Sequence, residues 1–218
     1  MSKAVLFDMD GVLVDTEPEY RKIETVIFEK LGIVPTEEDL KSNVGKGQLD
    51  VWTELKKEYG FAETPGELVE LETREARKIY LSESLKPIEP AIELLKTCAR
   101  RGFKIAVATS SFGENAENAI NRLRLNSYVD VMISGEMVSK TKPSPDIFLM
   151  AAKLLGSSPE ECVVIEDSKN GVLAAKAAGM KVVGYKAPES PQDLSRADVV
   201  VESFKNHSVD MLEKLLKA

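Results

Sequence analysis

Short runs of β-branched and other apolar residues recur along the chain at about 4–7, 105–109, 129–133, 162–166, 181–185 and 197–201. Amphipathic stretches of helical period lie between most of them, at about 91–101, 114–124, 145–155, 170–178 and 208–217. Strand-sized and helix-sized patterns in alternation predict βαβ units on a parallel sheet, an α/β fold. The punctuation agrees. Pro145 follows Ser144 at an expected first helical position, and Ser158-Pro159-Glu160-Glu161 has the form of a capping box. Gly102, Gly156 and Gly179 fall where helices should stop.

Residues 16–86 break this alternation. They carry four amphipathic helical stretches, 18–31, 36–43, 48–59 and 65–84, punctuated by Gly32, Gly45, Gly47 and Gly60. Thr36 and Thr64 are expected N-caps, the second with Pro65 at the first helical position and Glu67 at the third. An all-helical block of residues 16–86 is therefore expected to interrupt an α/β core made of 1–15 and 87–218. The two crossings, near 14–18 and 84–90, hold Pro18, Pro87 and Pro90. Such an insert is either a lid that moves over the strand ends or a rigid helical subdomain.

Chemistry-bearing residues gather at the expected strand ends, where ligands bind in open α/β sheets. Asp8 and Asp10 follow the first strand, and Thr109, Ser110 and Ser111 end the second. Lys140-Thr141-Lys142-Pro143 forms a basic loop before a helix, and Glu166-Asp167-Ser168 ends a later strand. Each segment alone has an ordinary explanation as a turn, a strand end or a helix cap; their order along the chain is what points to a site. Two carboxylates about 4 Å apart repel by roughly 4 kcal/mol at an effective dielectric near 20. A site holding Asp8, Asp10 and Asp167 together therefore calls for a cation, and an all-oxygen set suits Mg²⁺. Lys142, the Thr109 hydroxyl and the Ser110 backbone N–H would then hold the oxygens of a phosphate.

Composition narrows the choices. Hydrophobic residues make up 43% of the 218, enough for a sizeable core. The net charge of −7 argues against a nucleic-acid partner, and no apolar run is long enough for a membrane span. The first strand begins within four residues of Met1, which leaves no room for a signal peptide and sets the expectation of a cytoplasmic protein. Cys98 and Cys162 have no metal-type spacing and are expected as reduced core thiols. With an acidic, evenly charged surface pattern, the expectation is a monomer. His207 is the single histidine and lies in a polar stretch just before the last helix, which argues against Ser-His-Asp, Cys-His and multi-histidine zinc chemistry and leaves carboxylates or a lysine to move any protons.

Phe7-Asp8-Met9-Asp10-Gly11, Thr109-Ser110, Lys142-Pro143 and Glu166-Asp167-Ser168 together resemble the four motifs of the haloacid dehalogenase superfamily. Asp15-Thr16-Glu17-Pro18 and the helical insert resemble its subgroup with an α-helical cap, which holds β-phosphoglucomutase and many sugar-phosphate phosphatases. The resemblance implies a Rossmann-like parallel sheet with an inserted all-helical cap domain. It implies that Asp8 is a nucleophile forming an aspartyl-phosphate and that Asp10 is general acid, then general base. It further implies that Asp8, Asp167 and the Asp10 carbonyl bind Mg²⁺, with Glu166 direct or through water, and that Thr109 and Lys142 clamp the phosphoryl group. Haloalkanoate dehalogenases resemble this fold but lack the second aspartate, so Asp10 favours phosphate chemistry. In the cap, Glu17, Lys46 and Gln48 are the candidates to read the substrate. β-Phosphoglucomutases place an arginine near Gln48 and a histidine near Tyr20 or Arg21, and this chain has neither. The expectation is a Mg²⁺-dependent phosphatase of small phosphate monoesters, phosphorylated sugars or polyols. The alternatives are a β-phosphoglucomutase-like isomerase and a non-catalytic binding protein that retains the fold.

Overall fold

A computed structural model describes residues 3–36, 39, 47–82, 85–188, 190–205 and 209–217. Its strands are β1 (Ala4–Phe7), β2 (Val14–Asp15), β3 (Lys86–Pro87), β4 (Lys104–Ala108), β5 (Val131–Ile133), β6 (Cys162–Glu166), β7 (Lys181–Tyr185) and β8 (Val199–Val201). Its α-helices are α1 (Glu17–Leu31), α2 (Gln48–Tyr59), α3 (Pro65–Leu81), α4 (Glu89–Arg100), α5 (Gly113–Arg122), α6 (Asp146–Leu155), α7 (Lys169–Ala177) and α8 (Val209–Leu215). Six strands form one parallel sheet in the order β5-β4-β1-β6-β7-β8.

β1 reads Ala-Val-Leu-Phe and is buried on both faces, as a central strand of a covered parallel sheet must be. The period of two sorts its neighbours. Val5, Phe7, Ile105, Val107, Val163 and Ile165 share a core with α4, α5 and α8. Leu6, Ala106, Ala108 and Val164 pack with α6 and α7 on the other face. Because β1 has β4 on one side and β6 on the other, the chain winds both ways from it, and a crevice opens beyond the carboxyl ends of these three strands. The fold is thus the expected Rossmann-like sheet with an inserted helical cap.

The insert has its own apolar centre. α3 packs against both α1 and α2, and the rings of Phe28, Trp52 and Phe61 meet in sequence at 5.5 and 6.5 Å. Thr64 and Glu67 form the expected capping box, and Gly32 ends α1 in the left-handed conformation. Thr36 and Asp39 exchange reciprocal hydrogen bonds, but most of the helix expected over 36–43 lies outside the described residues.

Three local expectations change. The crossings near 14–18 and 84–90 are not plain linkers: β2 and β3 pair antiparallel, Val14 opposite Pro87 and Asp15 opposite Lys86. Ser158–Glu161 does not open an α-helix. It makes one 3₁₀ turn, Pro159–Glu161, because β6 must begin at Cys162 to pair with β1. Pro145 is the N-cap of α6 rather than its first residue.

Candidate active site

Asp8 leaves the end of β1, its backbone N–H held by the Ile165 carbonyl at 2.9 Å. The Lys142 ammonium reaches it from the loop before α6. It donates to Asp8 Oδ1 at 2.5 Å, to Glu166 Oε1 at 2.6 Å and to the Ala108 carbonyl at 3.1 Å, so its three N–H donors all have partners. Lys142 is 6% and Glu166 1% exposed, which makes this a buried ion cluster rather than a surface pair. The second Glu166 oxygen accepts from the Ser168 N–H and hydroxyl at 2.9 and 3.0 Å, and the Ser168 hydroxyl accepts from the Gly171 N–H, capping α7. Glycine is required at 171, since a Cβ there would lie 1.8 Å from the Glu166 carboxyl.

One cation does not match this many acids. Carboxylate oxygens of Asp8, Glu166 and Asp167 lie within 4.8 Å of one another. Burial drives the Asp8 carboxyl well above the ordinary carboxylate range, opposed by Lys142 and reinforced by Glu166. Burial also works against the Lys142 ammonium, but Asp8 and Glu166 outweigh it and hold its pKa up. Asp167 is the unmatched member. Burial and then the Glu166 and Asp8 charges push its pKa far up, and no donor among the described residues bonds to its carboxylate. Gly11, at φ +77°, lets the chain pass close enough that a Cβ there would sit 2.1 Å from Asp167 Oδ2. An unmatched carboxylate beside two others is a hard, all-oxygen donor set that fits a small divalent cation.

Asp10 faces a different environment. Its Oδ1 accepts from the Thr16 hydroxyl at 2.8 Å and from the Tyr80 hydroxyl. Its Oδ2 accepts from Ser111 at 2.8 Å and Thr109 at 3.2 Å. Tyr80 belongs to α3, so a helix of the insert reaches directly into the crevice. The Tyr20 hydroxyl of α1 lies 3.3 Å from that of Tyr80. Burial and the Asp10 charge keep both phenols protonated far above their ordinary range.

Asp8, Asp10, Thr109, Lys142, Glu166 and Asp167 therefore converge as the sequence predicts. Ser110 sits at the mouth, exposed. Glu17 does not join them: it starts α1 and pairs with Arg21 at 3.2 Å on the surface. Lys46 lies outside the described residues. Gln48, the first residue of α2, donates to Glu72 at 2.9 Å, and the Trp52 indole donates to the other Glu72 oxygen at 2.7 Å. Ser111, in the hydroxyl run the sequence places at this strand end, joins the site, whereas Thr16, Tyr20, Tyr80 and Glu72 were not legible as contacts of it. Ser111 closes a run of hydroxyls at a strand end, which is a usable signal; the two tyrosines and Glu72 sit in ordinary helical patterns. A cleft of about 230 Å³ separates Gly47, Asp50, Thr53, Glu54 and Lys57 of the insert from Lys142, Pro143 and Asn170 of the core.

A doubly wound sheet with an acidic crevice and a helical insert defines a class of enzyme in which carboxylates and a lysine occupy the reacting centre. The family described as haloacid dehalogenase-like hydrolase matches residues 2–179. The chain belongs to this family and is a hydrolase. It is 36% identical to the Phosphorylated carbohydrates phosphatase of Thermotoga maritima over 82% of each chain. It is 31% identical to Hexitol phosphatase B of Escherichia coli over 92% of each. It spans only 19% of a longer relative, Protein SUPPRESSOR OF QUENCHING 1, chloroplastic, of Arabidopsis thaliana, to which it is 35% identical over 89% of its own length. Among solved structures, β-phosphoglucomutase from Clostridium difficile superposes with a TM-score of 0.83 at 27% identity, covering 100% of this chain and 98% of that one. Among the described residues, no helix is long and apolar enough to cross a membrane.

Proposed function

We propose that this enzyme hydrolyses small phosphate monoesters of sugars or polyols through an aspartyl-phosphate on Asp8. The observation that carries the reading is the buried Asp8–Lys142–Glu166 cluster with Asp167 left unmatched beside it. Lys142 orients Asp8 and presents positive charge where a phosphoryl group would arrive. An Asp8 oxygen attacks phosphorus as the bond to the ester oxygen breaks. Asp10 gives a proton to that departing oxygen. In the second half Asp10 takes a proton from water as the water attacks phosphorus, and the bond to Asp8 breaks to release inorganic phosphate. Thr109, with the Ser110 N–H, supplies neutral donors for the phosphoryl oxygens.

Mg²⁺ would be held by the Asp8 and Asp167 carboxylates and the Asp10 carbonyl, and it supplies charge neutralisation for a dianionic substrate. Both Glu166 oxygens already have partners, which supports a role in orienting Lys142 and α7, with any metal contact made through water. Residues 16–86 act as the cap and 1–15 with 87–218 as the catalytic core, hinged at the β2–β3 ribbon. The named phosphatase relatives support the substrate class.

The test is phosphate release from a panel of phosphate monoesters with Mg²⁺ and again with a chelator. Activity is expected on hexose and hexitol phosphates, lost on chelation, and reduced at least about 10³-fold in Asp8→Asn with the fold retained. Retained turnover in Asp8→Asn would remove the nucleophile.

A further inference from the structure

Beside the crevice, the insert is tied to the core by a contact that the chemistry above does not use. Arg77 of α3 pairs with Glu114 of α5, Nη2 to Oε1, at 2.5 Å. Among the described residues it is the one ion pair that joins insert to core. Arg77 stands about one turn of α3 before Tyr80, and Glu114 opens α5 just after Ser111. The pair therefore lies next to the place where the Tyr80 hydroxyl donates to Asp10 and approaches the Ser111 hydroxyl at 3.4 Å. Each charge sits at the helix end that favours it, an anion in the first turn of α5 and a cation near the carboxyl end of α3. The core side of this contact is tightly built. A Cβ on Gly135 would come within 2.5 Å of the Ser110 carbonyl oxygen, and one on Gly113 within 3.1 Å of Glu136 Oε1, so the start of α5 is packed on the turn that follows β5. The insert side has less to hold it: the β2–β3 ribbon is short, and the cleft of about 230 Å³ separates α2 from the core.

We propose that Arg77 is a positioning residue for the reaction: its ion pair with Glu114 holds the turn of α3 that bears Tyr80 against α5, and thereby keeps the Tyr80 hydroxyl on Asp10. This rests on the phosphatase reading, in which Asp10 moves the protons. Arg77 touches neither Asp10 nor the substrate class proposed above; it acts through the register of one helix on another. A hydrogen bond to a carboxylate weakens steeply when donor and acceptor drift apart, so a small shift of α3 is enough to release Asp10 from Tyr80.

The experiment measures kcat and KM of the full-length enzyme with Mg²⁺ on a hexitol monophosphate, whose leaving alcohol needs a proton, and on p-nitrophenyl phosphate, whose leaving group does not. The two side chains are 56% and 54% exposed, so Arg77→Gln and Glu114→Gln keep the fold and their effect is that of a surface pair. Each is expected to lower kcat on the hexitol phosphate about threefold at low salt, with KM little changed and a smaller fall on p-nitrophenyl phosphate. Added salt should screen the pair and bring the wild type towards the variants. Arg77→Lys, which keeps the charge, should recover most of the loss. In a Tyr80→Phe background Arg77→Gln should lower kcat no further, since its effect passes through that hydroxyl. The same further loss in that background, equal losses on both esters, or no loss from Glu114→Gln would overturn the inference while leaving the phosphatase intact. No release from any ester by the wild type would overturn the underlying reading and this inference with it.

Discussion

The crevice of the core and the interior of the insert both bury carboxylates, but they stabilise them differently. In the core, Asp8 and Glu166 are matched by a full charge on Lys142, and Asp167 is left over. In the insert, Glu72 is satisfied by two neutral N–H donors, and the Arg21 charge near Glu24 is outweighed by burial and by the Glu72 and Glu17 charges. A charge-matched cluster with a surplus negative charge is suited to hold a cation and a phosphate. A carboxylate fixed by neutral donors is suited to orient other polar groups, and it resists anions.

The largest effect should come from breaking the charge match. Lys142→Met leaves Asp8, Glu166 and Asp167 facing one another without a cation, and a loss of about 3–5 kcal/mol of stability is expected. Chemical denaturation with and without Mg²⁺ measures it, and the variant should gain more from the ion than the wild type. A variant as stable as the wild type in the presence of chelator would contradict the cluster's electrostatics.

Glu24 tests the insert. Burial first, then the Glu72 and Glu17 charges, raise its pKa from 4.5 to about 7. The folded chain therefore keeps the Glu24 proton up to about pH 7, whereas the unfolded chain releases it near 4.5. Between these values the folded state binds more protons, so stability falls as pH rises through this window. Glu24→Gln should remove that slope and stabilise the protein above pH 7 by about 1–3 kcal/mol. Thermal unfolding at pH 5 and pH 8 checks the sign, and a variant less stable than the wild type at pH 8 would refute it.

Tyr80 joins the two regions, and its effect should be the smallest of the three. Tyr80→Phe removes one of four hydroxyls on Asp10 while keeping the ring in the core of the insert. A fall of about tenfold in kcat is expected on alkyl phosphates, whose leaving group needs a proton. p-Nitrophenyl phosphate, with a good leaving group, should be less affected. Equal effects on both esters would mean that Tyr80 seats the cap without influencing proton transfer at Asp10.

Much of this was legible along the chain. β1, β6, β7 and α2 have the bounds that their periodicity predicts, and the Thr64–Glu67 box forms as written. Such signals are local: period, cap and turn residues act over a few positions, and a parallel sheet needs strands apolar on both faces. The order of Asp8, Thr109, Lys142 and Glu166-Asp167 at strand ends was enough to locate the crevice, because open α/β sheets place their strand ends together. Tertiary structure alone decided the partners. Tyr80 meets Asp10 across 70 residues and Gln48 meets Glu72 across 24, and the helical patterns around Tyr80, Gln48 and Glu72 mark those positions only as core or surface. The β2–β3 ribbon is two residues per strand, too short to leave a pattern. Ser158–Glu161 carries the letters of a helix start but becomes a single turn, since sheet pairing at Cys162 outweighs local propensity. Sequence determines which elements form, because those preferences are local. Only packing brings distant helices together, and so only the fold decides which buried acid receives a lysine and which an amide.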